Sequence, residues 1–203
     1  MQLVGMLDSP FVRRVAISMR MLGFAYDHNP LSIFRGYDEF RSFNPMVKVP
    51  TLICDDGTIL VDSGLIIDYI ETLAGRSLLP QDTDARRRAL QYTGFALVAM
   101  EKVAQRIYEL KARPVEFQYL PWLQRVEEQL TAAVDAMESA VTGHSADWLF
   151  GKQMTQADIS IAVAWRFINF AASDFARREQ RPALADFSER AERLPEFLAT
   201  PLE

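Results

Sequence analysis

Lys48-Val49-Pro50-Thr51-Leu52, followed a short hairpin later by Asp62-Ser63-Gly64, is the stretch that decides how this chain is read. A Val-Pro step at the opening of a β-strand is unusual, because proline lacks the donor that strand pairing needs. A cis Val49-Pro50 bond would turn the N–H and C=O of Val49 outward as a short unpaired edge. Such an edge grips an extended peptide by strand-like pairing. A helix is expected to begin at Asp62-Ser63, and its N-terminus is a ready site for a carboxylate. A peptide-like ligand with an acidic end fits both features. Each feature also has a plainer reading, as a trans edge-strand proline and as an ordinary helix cap. Their joint spacing is what favours the ligand.

Working outward, residues 2–7 are a short apolar run that reads as a strand. Asp8-Ser9-Pro10 stops it and starts a helix, with Ser9 a good N-cap and Pro10 a good first helical residue. Phe11, Val15, Met19 and Leu22 recur at helical spacing, and Gly23 ends the segment. Residues 24–29 read as a second strand, while 31–44 support at most a short, irregular helix. Residues 51–54 and 58–61 are strands joined by Asp55-Asp56-Gly57, a tight-turn signal. Leu65, Ile66, Tyr69, Ile70 and Leu73 form the apolar stripe of a helix that stops near Gly75. This part therefore reads β-α-β-α-β-β-α, with the first two strands parallel and the hairpin antiparallel.

Residues 78–84 hold Pro80 and two aspartates and make the best linker, dividing a domain at 1–78 from one at 85–203. Beyond them strand signals cease. Leu90, Gly94, Leu97, Glu101, Ala104 and Tyr108 share one face of a long helix that is expected to run to about Ala112. Leu123, Val126, Leu130, Ala133, Met137 and Val141 mark another, ending at Gly143. Thr155 and Asp158 then stand in a capping-box relation, with Met154 and Ile159 placed as a hydrophobic staple. The helix that follows, around Trp165, is apolar nearly all round and should be the buried centre of a helical domain. Pro182 to Leu198 supplies one or two closing helices.

Composition bounds the function. Of the 203 residues, 49% are apolar and 24% charged, as expected of a globular protein with a sizeable core. The formal net charge of −5 is spread over both parts, leaving no basic half to bind nucleic acid. No basic leader and no apolar run of about 18 residues occur, so neither export nor a membrane span is expected. Cys54 is the only cysteine, which excludes an internal disulfide and suits a reducing compartment, with cytoplasm the expected location. It reads as a packed small hydrophobe. His28 and His144 have no ligand-spaced partner, so no metal is expected. Arg86-Arg87-Arg88, at a helix start, reads as a solvated or interface face.

Taken together, Ser-Pro-Phe-Val-Arg-Arg after the first strand, Val-Pro before the third and an acidic-Ser pair opening the third helix resemble the cytosolic glutathione S-transferases. The all-helical second part with its Thr155-to-Asp158 helix start resembles their C-terminal domain. The resemblance covers essentially the whole chain. It implies a thioredoxin-like domain joined to a helical bundle, usually as a homodimer, that acts on a small electrophile with glutathione as co-substrate. By this resemblance Val49 pairs with the cysteinyl part of glutathione and Pro50 holds the loop in cis. Ser63 takes the γ-glutamyl carboxylate, Asp62 the γ-glutamyl ammonium, and Lys48 helps near the glycyl carboxylate. Ser9 faces the sulfur, as in the serine-type classes, which include transferases, isomerases and dehalogenases. Phe11 and Tyr108 would wall the second-substrate pocket, whereas Thr155 and Asp158 are structural.

Chemistry explains these residue types. A thiol of pKa near ~8.5 is mostly protonated at neutral pH, and its thiolate is the nucleophile. A serine hydroxyl is too weak a base to take that proton, so its part is to donate a hydrogen bond to the thiolate at a helix N-terminus. Lowering the pKa by ~2 units needs about 2.7 kcal/mol, which one charge-assisted bond and a helix terminus can supply. Asp8, beside Ser9, would act in the opposite sense if it pointed inward. The same fold without chemistry would serve as a regulatory or chaperone-like binding module. A thiol–disulfide oxidoreductase is disfavoured, because no cysteine stands near residue 9.

Overall fold

A computed structural model describes residues 1–143 and 146–202, so His144 lies outside the described residues. Four short strands build one mixed sheet in the order β2-β1-β3-β4. Strand β1 (Gln2–Val4) runs parallel to β2 (Asp27–Asn29) and antiparallel to β3 (Thr51–Ile53). The hairpin closes with β4 (Ile59–Val61), antiparallel to β3. Both N-terminal strands are shorter than the apolar runs implied. Gly5, at φ +135°, breaks β1 after three residues, and β2 starts only at Asp27.

Helix α1 (Pro10–Leu22) starts and stops where its signals lie. Ser9 caps it, proline occupies the first turn, and Gly23 closes it in the left-handed conformation at φ +86°. The irregular region after β2 yields α2 (Tyr37–Phe43), which buries Phe40 completely. Helix α3 (Ser63–Ala74) ends at Gly75. Its buried face is Ile66, Ile67 and Ile70, with Ser63 at the start. Leu65 and Leu73, placed in the apolar stripe by periodicity, are exposed. That stripe thus mixes the core face with a second apolar surface.

The chain divides into two compact units, Met1–Leu78 with Arg193–Glu203, and Leu79–Glu192. The last eleven residues, which the sequence leaves with the helical domain, belong to the first unit. The second unit holds α4 (Thr83–Ile107), α5 (Leu120–Val141), α6 (Gln156–Ala171) and α7 (Pro182–Ala191). Its centre is α6, buried through most of its length and packed on α4 and α7. Helix α4 buries Ala89, Thr93, Ala96, Ala99, Met100 and Val103, a face rotated from the one expected through Leu90 and Tyr108. A five-residue π-helical turn, Tyr108–Ala112, ends it. The segment returning to the first unit carries the short helix α8 (Pro195–Leu198).

Candidate functional site

Register brings the site together. Val4 pairs with Thr51, and Thr51 pairs with Val61. The segments after Val4, before Thr51 and after Val61 therefore emerge side by side at one end of the sheet's strands. They carry Ser9, Val49-Pro50 and Asp62-Ser63 respectively. Gly5 makes the approach close, since a methyl group added there would lie 2.7 Å from Val12 Cγ2 and 3.0 Å from Val49 Cγ1.

The loop before β3 is held by a small polar circuit. Asn44, fully buried, donates from Nδ2 to Thr51 Oγ1 at 2.9 Å and accepts the Met46 N–H on Oδ1 at 3.0 Å. Thr51 Oγ1 donates in turn to the Lys48 carbonyl at 2.6 Å. Val47 is held at φ +48°, where a β-branched side chain is strained. Within this frame the Val49-Pro50 bond is cis. Pro50 is buried and Val49 half-buried, and among the described residues neither the N–H nor the C=O of Val49 has a hydrogen-bond partner. Lys48 points an exposed side chain outward.

At the start of α3, Asp62 is the N-cap, at φ +73° and ψ 127°, and accepts the Gly64 N–H on Oδ1 at 2.8 Å. That N–H, expected to be open to a ligand, is therefore engaged by the protein itself. The Asp62 side chain is exposed, while Ser63 is buried at 3% exposure. Ser63 Oγ accepts a hydrogen bond from Arg14 Nη1 at 2.9 Å, which links α1 to α3. Arg14 is 2% exposed, and its Nε has no partner. Burial pushes its guanidinium down to about 10, against the opposing charge of Asp62, and it stays a cation at neutral pH.

Ser9 is half-buried. Its Oγ accepts the Val12 N–H at 3.5 Å, a long cap bond, while its carbonyl takes the Arg13 N–H at 2.9 Å. The hydroxyl proton is not spent on that cap, so capping and donation to a ligand are compatible. Phe11 is half-buried on the first turn of α1. In the second unit, Tyr108 opens the π-helical turn with its side chain exposed. Asp158, fully buried, accepts the Thr155 N–H at 2.7 Å, the Thr155 hydroxyl at 2.5 Å and the Leu149 N–H at 2.8 Å. Met154 and Ile159 are both buried beside it. Cys54 is buried.

Two residues essential to this geometry were not singled out from the sequence. Asn44 reads as a loop residue, and only its complete burial shows that it organises the Val49 loop. Arg14 stands in the Ser-Pro-Phe-Val-Arg-Arg motif without a role of its own, because periodicity does not tell an inward arginine from an outward one. Two adjacent arginines between Val12 and Val15 were the available signal, since one helix cannot turn both and their apolar neighbours to water. Among the described residues no group of three or more His, Cys, Asp or Glu side chains could hold a metal ion. No described helix is long and apolar enough to cross a membrane.

Comparison with known proteins matches two family profiles in succession. Residues 3–78 match the glutathione S-transferase N-terminal domain and residues 121–190 the glutathione S-transferase C-terminal domain. An uncharacterised GST-like protein of Escherichia coli (strain K12), YibF, is 29% identical over 171 residues, covering 84% of this chain and 83% of that one. Maleylacetoacetate isomerase of Rattus norvegicus is 27% identical over 155 residues, covering 73% and 69%. Among solved structures, a glutathione transferase family member from Pseudomonas fluorescens Pf-5, with bound glutathione, superposes with TM-score 0.82. It is 27% identical, with 100% of this chain and 98% of that one covered.

Proposed function

The chain belongs to the glutathione S-transferase superfamily, and from that premise we propose that it binds glutathione and activates its thiol for attack on a small apolar electrophile. The observation that carries the reading is the convergence, at one end of the sheet's strands, of an unpaired Val49 backbone, a capped helix start at Asp62-Ser63 and the N-cap hydroxyl of Ser9. Each group matches one part of a γ-glutamyl tripeptide.

In this reading the cysteinyl backbone exchanges two hydrogen bonds with Val49, adding a short strand at the free edge. The γ-glutamyl carboxylate accepts from Ser63 Oγ, and the ammonium of the same residue meets the exposed carboxylate of Asp62. Lys48 is within the same loop and supplies a cation for the glycyl end. The sulfur lies at the N-terminus of α1, where Ser9 donates to it. Stabilised as thiolate, it forms a carbon–sulfur bond to the electrophile while the leaving group departs with the electron pair. Phe11 offers an apolar surface beside Ser9. The protein acts as a cytoplasmic homodimer, in keeping with exposed apolar residues on α3 and α4.

A second reading is favoured by the likeness to maleylacetoacetate isomerase. There the thiolate adds to an activated double bond, the adduct rotates, and the thiolate is expelled again, so glutathione is not consumed. The test is retention on immobilised glutathione, then turnover of an activated aryl halide and of a conjugated cis-diketo acid. Conjugate supports the transferase and trans acid without loss of glutathione supports the isomerase. No retention and no turnover would overturn both in favour of a non-catalytic binding module.

A further inference from the structure

The segment that returns to the first unit ends against the helix that carries Ser9. Arg13, near the start of α1, is buried at 1% exposure. Its Nε donates to the Thr200 carbonyl at 2.8 Å, and its guanidinium carbon lies 5.6 Å from the centre of the Phe197 ring. Thr200 and Phe197 are themselves buried. The Thr200 hydroxyl donates to the Glu196 carbonyl at 2.9 Å and its N–H to the Phe197 carbonyl at 3.1 Å, so a closed turn of backbone presents the acceptor. The backbone of Arg13 meanwhile belongs to the Ser9 cap. Its N–H donates to the Ser9 carbonyl at 2.9 Å, one residue beyond the Val12 N–H that meets Ser9 Oγ. One residue thus ties Ser9 to α1 by its backbone and α1 to residues 193–203 by its side chain.

An apolar side chain would fill this position at less cost, because burying a cation forfeits its hydration. What the guanidinium adds is direction. Apolar contact tolerates sliding and rotation, whereas a donor on a carbonyl and a planar group against a ring fix the distance and the rotation of a helix together. A hydrogen bond from Ser9 to a thiolate depends on both quantities, since it weakens steeply as length and angle depart from their optimum. The Ser9 cap bond, at 3.5 Å, restrains that hydroxyl only weakly, so its placement depends on how the whole first turn is held. We propose that Arg13 is a positioning residue for Ser9, and that residues 193–200 are part of the support of the reacting end of α1. The inference rests on the glutathione reading above, in which the Ser9 hydroxyl donates to the sulfur. Arg13 acts through the first turn of the helix, not on the ligand.

The pKa of the bound glutathione thiol, followed by the ultraviolet absorbance of the thiolate, tests this on the full chain. The variants are Arg13→Met, Arg13→Lys, Phe197→Leu, Ser9→Ala and the Ser9→Ala/Arg13→Met pair. Arg13→Met keeps the apolar stem and loses the donor. It should raise the bound thiol's pKa by about 0.5–1 unit and lower kcat at neutral pH about threefold to tenfold. The glutathione Kd should stay within about twofold of wild type, because the peptide's other contacts are untouched. Arg13→Lys, which keeps a donor for the Thr200 carbonyl, should fall in between, and Phe197→Leu should shift the pKa in the same direction. In the Ser9→Ala background, adding Arg13→Met should move the pKa by less than about 0.2 unit, because the two residues act in series. An Arg13→Met protein that is less stable but keeps the wild-type pKa would overturn the proposal and leave Arg13 a scaffold residue. A full second shift in the Ser9→Ala background would overturn it too. Should Arg13→Met fail to fold, wild-type pKa values in both Arg13→Lys and Phe197→Leu overturn it as well. A wild type whose bound thiol titrates like free glutathione sinks the Ser9 reading itself, an outcome distinct from an unmoved Arg13 variant.

Discussion

Ser9 and Val47 show two ways in which one residue serves this site. Ser9 lends its lone pair weakly to the helix, at 3.5 Å from the Val12 nitrogen, and that cap does not use its proton. Ser9→Ala should raise the pKa of bound glutathione by about one to two units and lower turnover at neutral pH about tenfold to a hundredfold. Affinity should change little, and the loss should shrink as pH rises above the new thiol pKa. Rate profiles of both proteins check this, and an unshifted profile would remove Ser9 from the chemistry. Val47 instead carries strain, with a β-branched side chain at φ +48° in the loop that presents Val49. Val47→Gly should relieve roughly 1–2 kcal/mol of that strain. It returns about 0.5–1 kcal/mol to the unfolded chain's entropy. A small net gain in the urea midpoint is expected, and a fall would show that the valine side chain packs productively. Residue types at the site were legible because caps, cis-capable prolines and turns are written locally. Arg14, Asn44 and the strain at Val47 and Asp62 were not, because each depends on what tertiary packing encloses.

Elements were legible to the extent that their stops are chemical. Gly23 and Gly75 close α1 and α3 in the left-handed conformation that glycine favours, whereas α5, expected to end at Gly143, ends at Val141 on an extended Thr142. Faces were less legible. On α4 the small residues Ala89, Ala96 and Ala99 are buried while Leu90 is 52% exposed, so counting large apolar residues chose the wrong side. The start of α6 shows the opposite, a local signal confirmed in detail, since Asp158 gathers three hydrogen bonds from Thr155 and Leu149. Asp158→Ala should cost about 3 kcal/mol by orphaning two buried N–H groups, measured by denaturant unfolding. Burial is the largest influence on the Asp158 carboxyl and holds it above its ordinary range, against the pull of those hydrogen bonds. Between the ordinary value of about 3.9 and the raised one, the folded state binds the extra proton. The stabilisation due to that shift is therefore full below the ordinary value and is lost as pH rises through the folded one. The penalty of Asp158→Ala should accordingly grow toward acid pH, and a pH-independent penalty would exclude the linkage.

For the whole molecule, the surface carries apolar side chains that neither unit covers. Leu65, at 65% exposure, and Leu73 stand on α3, and Leu90 and Val98 on α4. Sedimentation velocity should find wild type at twice the chain mass and Leu65→Glu/Leu90→Glu at the single mass. A monomeric wild type would remove the dimer from the proposal. The two-part division itself has a consequence for how the protein is made. Residues 79–192 interrupt the first unit, whose last piece, from Arg193 onward, supplies Phe197 and Thr200 to Arg13. Synthesis proceeds from the N-terminus, so the sheet and its helices leave the ribosome long before the segment that completes their packing. The helical unit has all its residues first and can fold as a finished body while the other waits. Removing residues 193–203 should then loosen α1 and spare α6, readable as amide exchange gained in residues 10–22 alone. In a chain numbered from the sheet, the sheet domain is the last to be finished.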